Sequence, residues 1–243
     1  MKRRLNTERF HSQREWLDSW HTFSFAEHDS PDWRGFGPLR VINDDTIAAG
    51  RGFGMHPHRD MEIVSVMVDG QLTHQDSMGH QEVLNSGEVQ RMSAGTGIVH
   101  SEMNQGASAC RLIQIWIEPR QANLPPAYEQ KAFTIGRDWT PLLDPAGQDG
   151  AMAVAQAMQL WRAQPQKGDR LSIPATAQGS KIWLQVINGT LESTAPNGTP
   201  MHLERGDGVG TDRDDPKLST LMGSESGADV LLFSLNATNN TRH

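Results

Sequence analysis

Cysteine is almost missing from this sequence: Cys110 is the only one. No intrachain disulfide can form, which fits a reducing, cytoplasmic setting best. Cys110 lies among apolar residues with no activating neighbour in sequence, so it reads as a buried, inert thiol. Long apolar runs are lacking too. None approaches the roughly 18 residues that cross a bilayer, so no membrane association is expected. The charged opening Met1-Lys-Arg-Arg has no apolar stretch behind it, which speaks against a secretory signal. Positive charge is in deficit. A formal net charge of −7 gains little from counterion release, so direct nucleic-acid binding is not expected. Helical periodicity is scarce as well, and only Ala151 to Arg162 leaves a short helix and a strand equally open.

What the chain has instead is short runs of β-branched and aromatic residues between turn formers. Ile63-Val-Ser-Val-Met-Val68, Leu112-Ile-Gln-Ile-Trp-Ile117, Ile182-Trp-Leu-Gln-Val-Ile187 and Val230-Leu-Leu-Phe-Ser-Leu235 read as strands, and the whole as an all-β sandwich or barrel. The stretch from Asn123 to Gly150 holds Pro125-Pro126, Pro141 and Asp144-Pro145-Ala-Gly147 and reads as a connector between two halves, 1–132 and 133–243. The halves share a pattern. Val66-Met-Val-Asp-Gly-Gln-Leu72 matches Gln185-Val-Ile-Asn-Gly-Thr-Leu191, with Asp69-Gly70 and Asn188-Gly189 as two-residue hairpin signals. Gly87 and Gly206 each lie 17 residues beyond the turn glycine of their half. Two related β-barrels are expected from this duplication.

Chemistry concentrates in the first half. His56 and His58 in Gly54-Met-His-Pro-His58 share a face by the period-two rule of strands, and Pro57 between them suits an edge or strand start. His100 and Glu102 in Gly95-Thr-Gly-Ile-Val-His-Ser-Glu102 share a face by the same rule. Two such pairs across a narrow barrel bring three imidazoles and a carboxylate to one ion; the competing reading is ordinary core or surface histidines. That ligand set suits a divalent transition metal, Fe, Mn, Co, Ni, Cu or Zn, better than Mg or Ca. Four ligands on a six-coordinate ion would leave two positions open, which a closed structural zinc would not. The repeat places Ala175 and Ala177 opposite His56 and His58, and Ser219 and Leu221 opposite His100 and Glu102. His202 and His243 are the only histidines of the second half, so that half is expected to bind no metal.

The spacing Gly54-x-His56-x-His58-x3-Glu62-x7-Gly70 resembles the first cupin motif, and Gly87-x7-Gly95-Thr-Gly97-x2-His100-x3-Asn104 the second. More closely, the chain resembles the pirin-family bicupins, in particular the bacterial pirin-like quercetinases. Trp16-Leu-Asp-Ser-Trp-His-Thr-Phe-Ser-Phe25, Leu39-Arg-Val-Ile-Asn-Asp-Asp45, His74-Gln-Asp-Ser-Met-Gly79 and Met92-Ser-Ala-Gly-Thr-Gly-Ile-Val-His-Ser-Glu102 carry that likeness. It implies two cupin (double-stranded β-helix) barrels, the N-terminal one metal-binding and the C-terminal one without ligands. It also implies Glu102 rather than Glu62 as the fourth ligand, and spacing agrees. Glu62 would lie about 13 Å along the strand from His58, at about 3.3 Å per residue. The implied activity is a metal-dependent dioxygenase, with Fe(II) foremost, that cleaves the central ring of a flavonol such as quercetin with dioxygen and releases carbon monoxide. Glu102 would act there as ligand and base together. A second implication is a non-enzymatic, metal- or redox-dependent regulator that binds a transcription-related protein partner.

Other polar and aromatic residues receive plainer readings. His74 and Asp76 are expected on a solvated hairpin, with the site entrance as the alternative. His21, Trp16, Trp20, Phe23 and Phe25 are expected in core packing, with flavonoid stacking as the alternative for one of them. Asp212, Asp214 and Asp215 read as a solvated acidic turn.

Overall fold

Each of the four apolar runs becomes a strand paired on both sides, because a β-branched run buried on two faces has nowhere else to satisfy its backbone. The structure is a computed structural model, and it describes residues 1–174, 177, 180–194, 198–212 and 221–236. Ala175, Asp214, Asp215, Ser219 and His243 lie outside the described residues. The chain is all-β and divides into two units. One comprises Phe10–Phe133 with Val154–Gln156; the other comprises Met1–Arg9, Thr134–Ala153 and Ala157–His243. None of the described helices is long and apolar enough to cross a membrane.

The first unit packs two antiparallel sheets. The seven-stranded sheet runs in the order Ala127–Ala132, Glu88–Ser93, Glu62–Asp69, Cys110–Ile117, Leu39–Ile47, Leu17–His21 and Phe10–Arg14. The four-stranded sheet runs Gly52–His58, Ile98–Met103, Gln71–Asp76 and Gln81–Asn85. Leu72 and Leu84 of the smaller sheet pack on Leu17, Ile47, Met67 and Leu112 of the larger one. A second apolar cluster joins Ile63, Met92, Ala94 and Ile98, and the candidate site lies among the polar and aromatic residues of the same interior.

The second unit is built on a nine-stranded sheet around two long strands, Lys181–Thr194 and Leu221–Leu235. Its strand Lys2–Arg4 comes from the start of the chain and pairs with Gly208–Thr211. Ala177, Leu184, Leu221 and Leu232 share one apolar cluster in its interior. Ala177 and Leu221 are the repeat's counterparts of His58 and Glu102. At these two described positions the side chains are aliphatic and carry no lone pair for a cation.

Three expectations are corrected. Asp69-Gly70 is not a hairpin: it carries the chain from Glu62–Asp69 in the larger sheet to Gln71–Asp76 in the smaller one. Asn188-Gly189 is not a hairpin either, but a bend inside Lys181–Thr194, flanked by two register shifts against Leu221–Leu235. Gly70 and Gly189 both have left-handed backbone, φ 73° and 68°, so a local hairpin signal is used in each half to turn a barrel corner. The stretch from Asn123 to Gly150 is no bare connector, since it holds the strands Ala127–Ala132 and Thr140–Asp144. Between Ala151 and Arg162 the chain is strand, not helix, in Met152–Ala153 and from Met158 on.

The duplication itself is real in the backbone. Gly87 N–H donates to Met67 O at 3.4 Å, and Gly206 N–H donates to Val186 O at 2.9 Å, the same bond in both halves. At Gly189 a methyl group would meet Gly227 O at 2.2 Å, on a backbone that L-residues already avoid. Gly189→Ala is therefore expected to destabilise the second unit by on the order of 2 kcal/mol, read as a lower denaturant midpoint.

Candidate metal centre

Strands Gly52–His58 and Ile98–Met103 are antiparallel neighbours, and their register sets His100 directly opposite His56. His58, two residues along, falls on the same side as His56. The three residues offer nitrogen atoms that all lie within 4.8 Å of one another. Their ring centroids are 4.4 to 4.9 Å apart. His100 is fully buried, and its Nε2 has no hydrogen-bond partner. A buried, unpaired nitrogen costs free energy unless something else takes its lone pair. A metal ion fits that requirement, and three convergent imidazoles suit a transition metal.

Hydrogen bonds fix which nitrogen His56 and His100 present. His56 Nδ1–H donates to Gly54 O at 2.8 Å, leaving Nε2 as the donor atom. His74 Nε2–H donates to Asp76 Oδ2 at 3.0 Å, so His74 Nδ1 is an acceptor. His100 Nδ1–H faces that acceptor at 3.4 Å, alongside the Gln90 amide at 3.4 Å. Asp76 is held in turn by His80 Nδ1–H at 2.9 Å and by the backbone N–H groups of Met78 and His80. Burial, with the neighbouring imidazoles, pushes His58 down to about 4 and His100 down to about 3. Both are neutral at neutral pH, the state in which imidazole binds metals.

His74 and Asp76 are thus not a solvated hairpin. They are buried, 1% and 6% exposed, and support His100 from behind. The sequence offered period-two spacing for the pair but nothing about what covers it. His74→Phe keeps the ring shape and removes the acceptor. It is expected to weaken metal binding roughly 10- to 100-fold in chelator competition.

Glu102 is buried and lines the same cavity as His56 and His58, but it stands outside the three-imidazole cluster. Its carboxylate accepts from Gln114 Nε2 at 2.8 Å and from Ser65 Oγ at 3.3 Å. A bulge between His100 and Glu102 in the pairing with Gly52–His58 is the local reason for its offset. Glu62 is engaged elsewhere, accepting from Ser93 Oγ at 2.8 Å and from Ala155 N–H at 3.4 Å.

The cavity measures about 180 Å³. Phe25, Phe53 and Trp116 give it aromatic walls, and Ser19, His21, Asn43 and Asp45 a polar one. His21 was expected in packing; it is buried, yet it also faces this cavity. Sequence reasoning passed over Asn43, Asp45, Gln114 and Trp116. The available signal was polar residues at alternate positions of otherwise apolar strands. Cys110 is buried and its thiol is pushed up to about 11 by that burial, an inert group as expected. Asp212 pairs with Lys181 at 2.7 Å.

Among the described residues, one β-barrel carries three clustered imidazoles and the other an apolar cluster, which defines a bicupin whose first barrel can hold a transition metal. Residues 4–117 match the Pirin model and residues 142–235 the quercetinase C-terminal cupin domain; the chain belongs to the pirin family. It is 42% identical to a quercetin 2,3-dioxygenase of Escherichia coli strain K12, over 96% of this chain and 97% of that one. It is also similar to the crystal structure of the bacterial pirin YhhW of Escherichia coli in complex with nickel(II), at 41% identity and TM-score 0.87 over 98% and 99% of the two chains. A quercetin 2,3-dioxygenase structure from Acinetobacter baumannii shares the fold, at 19% identity and TM-score 0.75, over 98% of this chain and 87% of that one.

Proposed function

We propose that this chain is a metal-dependent quercetin 2,3-dioxygenase that opens the central ring of a flavonol with dioxygen and releases carbon monoxide. The observation that carries the reading is the buried His100 Nε2 without a partner, beside His56 and His58 in an aromatic-walled cavity. His56, His58, His100 and Glu102 are the ligands we assign, and iron(II) the ion, with manganese, cobalt, nickel, copper and zinc as the other candidates. The bound ion supplies the Lewis acidity that lets a phenolic hydroxyl ionise near neutral pH.

The remaining work falls to the side chains. Phe25, Phe53 and Trp116 hold the flat rings of the flavonol and exclude water from them. Glu102, oriented by Gln114 and Ser65, takes the proton of the 3-hydroxyl. The N-terminal barrel performs the chemistry, and the C-terminal barrel supplies none of the assigned ligands.

The test is anaerobic loading with each candidate metal, followed by quercetin loss, oxygen uptake and carbon monoxide release. Turnover with at least one metal is expected. A demonstrably filled site that turns over no flavonol with any of them refutes the enzyme reading.

A further inference from the structure

Asp45 is a buried carboxyl in the cavity wall that the chemistry above leaves unused. Period two along Leu39–Ile47 turns Asp44 and Asp45 to opposite faces. Asp44 meets the Arg111 guanidinium twice, at 2.7 and 2.8 Å. Asp45 faces the cavity at 2% exposure, with Ser19 Oγ–H as its hydrogen-bond donor. Among the described residues no cation pairs with it. Across the cavity stands Glu102, on the neighbouring strand Asp18, and on its own strand Asp44, all acidic. Burial pushes the carboxyl up to about 7; the Ser19 hydroxyl opposes that rise and the three carboxylates add to it.

From Asp45 a continuous file of hydrogen bonds leads outward. Ser19 Oγ lies 3.4 Å from His21 Nδ1, and His21 Nε2 lies 3.0 Å from Ser12 Oγ. Ser12 Oγ donates to Glu27 at 3.0 Å and lies 3.2 Å from His28 Nε2. Ser19, His21 and Ser12 are buried, whereas the Glu27 side chain is 57% and that of His28 26% exposed. His21 has a further partner in Asn43 Oδ1 at 2.8 Å, which holds the ring in line. Asn43 Oδ1 accepts from His21 Nδ1–H, so at rest the file runs inward, from His21 through Ser19 to Asp45; once Nδ1 has given up its proton, the hydroxyls and the imidazole can pass one outward. A network serving packing alone has no need to begin at an unpaired acid and end in solvent.

We propose that Asp45 exchanges the proton of a phenolic substrate with solvent, through Ser19, His21 and Ser12 to His28 and Glu27. The inference rests on the flavonol reading. Glu102 acts at the reacting oxygen, and Asp45 is where the proton leaves a cavity that the substrate fills. The proton that Glu102 takes from the 3-hydroxyl is handed on: the O–H bond at Glu102 breaks and a carboxyl O–H bond forms at Asp45. Asp45 then gives a proton to Ser19 as Ser19 gives its own to His21, His21 gives one to Ser12, and Ser12 gives one to Glu27 or His28. One proton enters the file and one leaves; no electrons move. Ser19, His21 and Ser12 are positioning residues of this route.

The decisive measurement needs no substrate. In metal-loaded protein, the infrared difference between wild type and Asp45→Asn should show a protonated carboxyl that fades as pH rises and exchanges rapidly in D2O. Ser19→Ala should slow that exchange about tenfold or more, and Ser12→Ala, further from the carboxyl, should do the same if Ser19→Ala folds poorly. Absence of the band, or unchanged exchange in both serine variants, overturns the proposal. In turnover, Asp45→Asn should lower kcat on the order of 10²-fold with metal content retained, and lose the limb that rises with pH as Asp45 ionises. An Asp45→Asn enzyme with wild-type kcat and pH profile also overturns it. An exchanging carboxyl in a protein that turns over no flavonol supports the file and removes only the flavonol reading.

Discussion

Replacing His100 with alanine is expected to empty the metal centre and abolish flavonol cleavage. His100 is the fully buried member of the imidazole cluster, and its Nε2 has no other partner. Removing it leaves His56 and His58, both partly exposed on an edge strand of the four-stranded sheet, to hold the ion. It also strips His74 Nδ1 of one of its two donors. Loss of an outer partner alone costs about 10- to 100-fold in affinity, so loss of the ligand it supports should exceed ~10²-fold. Elemental analysis after desalting should find little metal in the variant, while circular dichroism remains that of a β-protein. His202→Ala, in the second unit, should retain both metal and turnover. A His100→Ala protein that keeps its ion at wild-type affinity would show that the cluster is not the binding site.

Glu102→Gln should separate metal binding from chemistry. The substitution keeps shape and burial but removes the charge and the basic oxygen. It also turns an amide N–H toward Ser65 or Gln114, both of which now donate to Glu102. If Glu102 takes the substrate proton, kcat per bound ion should fall by roughly 10²- to 10⁴-fold, the usual contribution of a positioned base. Three imidazoles remain to hold metal, so the loss of rate should be larger than the loss of ion. Turnover per bound ion close to wild type would assign the proton step to another group in the cavity. Asp45 would then be the first to test, because it stands in the same wall.

Both variants concern residues that period-two spacing selects from the chain. His56 with His58, and His100 with Glu102, fall on common faces because a strand alternates its side chains; no knowledge of the partner strands is needed for that. The aliphatic counterparts in the second half, Ala177 and Leu221, were legible from the repeat, and they pack in one apolar cluster. The four β-branched runs were legible for the same reason: local pattern governs pleat and burial.

Which strands pair, and therefore what each face meets, was not. Asp69-Gly70 and Asn188-Gly189 carry a hairpin signature, yet each turns a corner between differently paired segments. Only the long-range partners of the flanking segments distinguish those outcomes. His74 and Asp76 look like an exposed turn in sequence, and they become the support of His100 because Gln71–Asp76 is sandwiched between Ile98–Met103 and Gln81–Asn85. Asp44 and Asp45 are adjacent and chemically identical. The sequence by itself determined that they face opposite ways. Only the tertiary structure decided that one meets Arg111 and the other a buried cavity, because burial and charge pairing depend on residues far away along the chain.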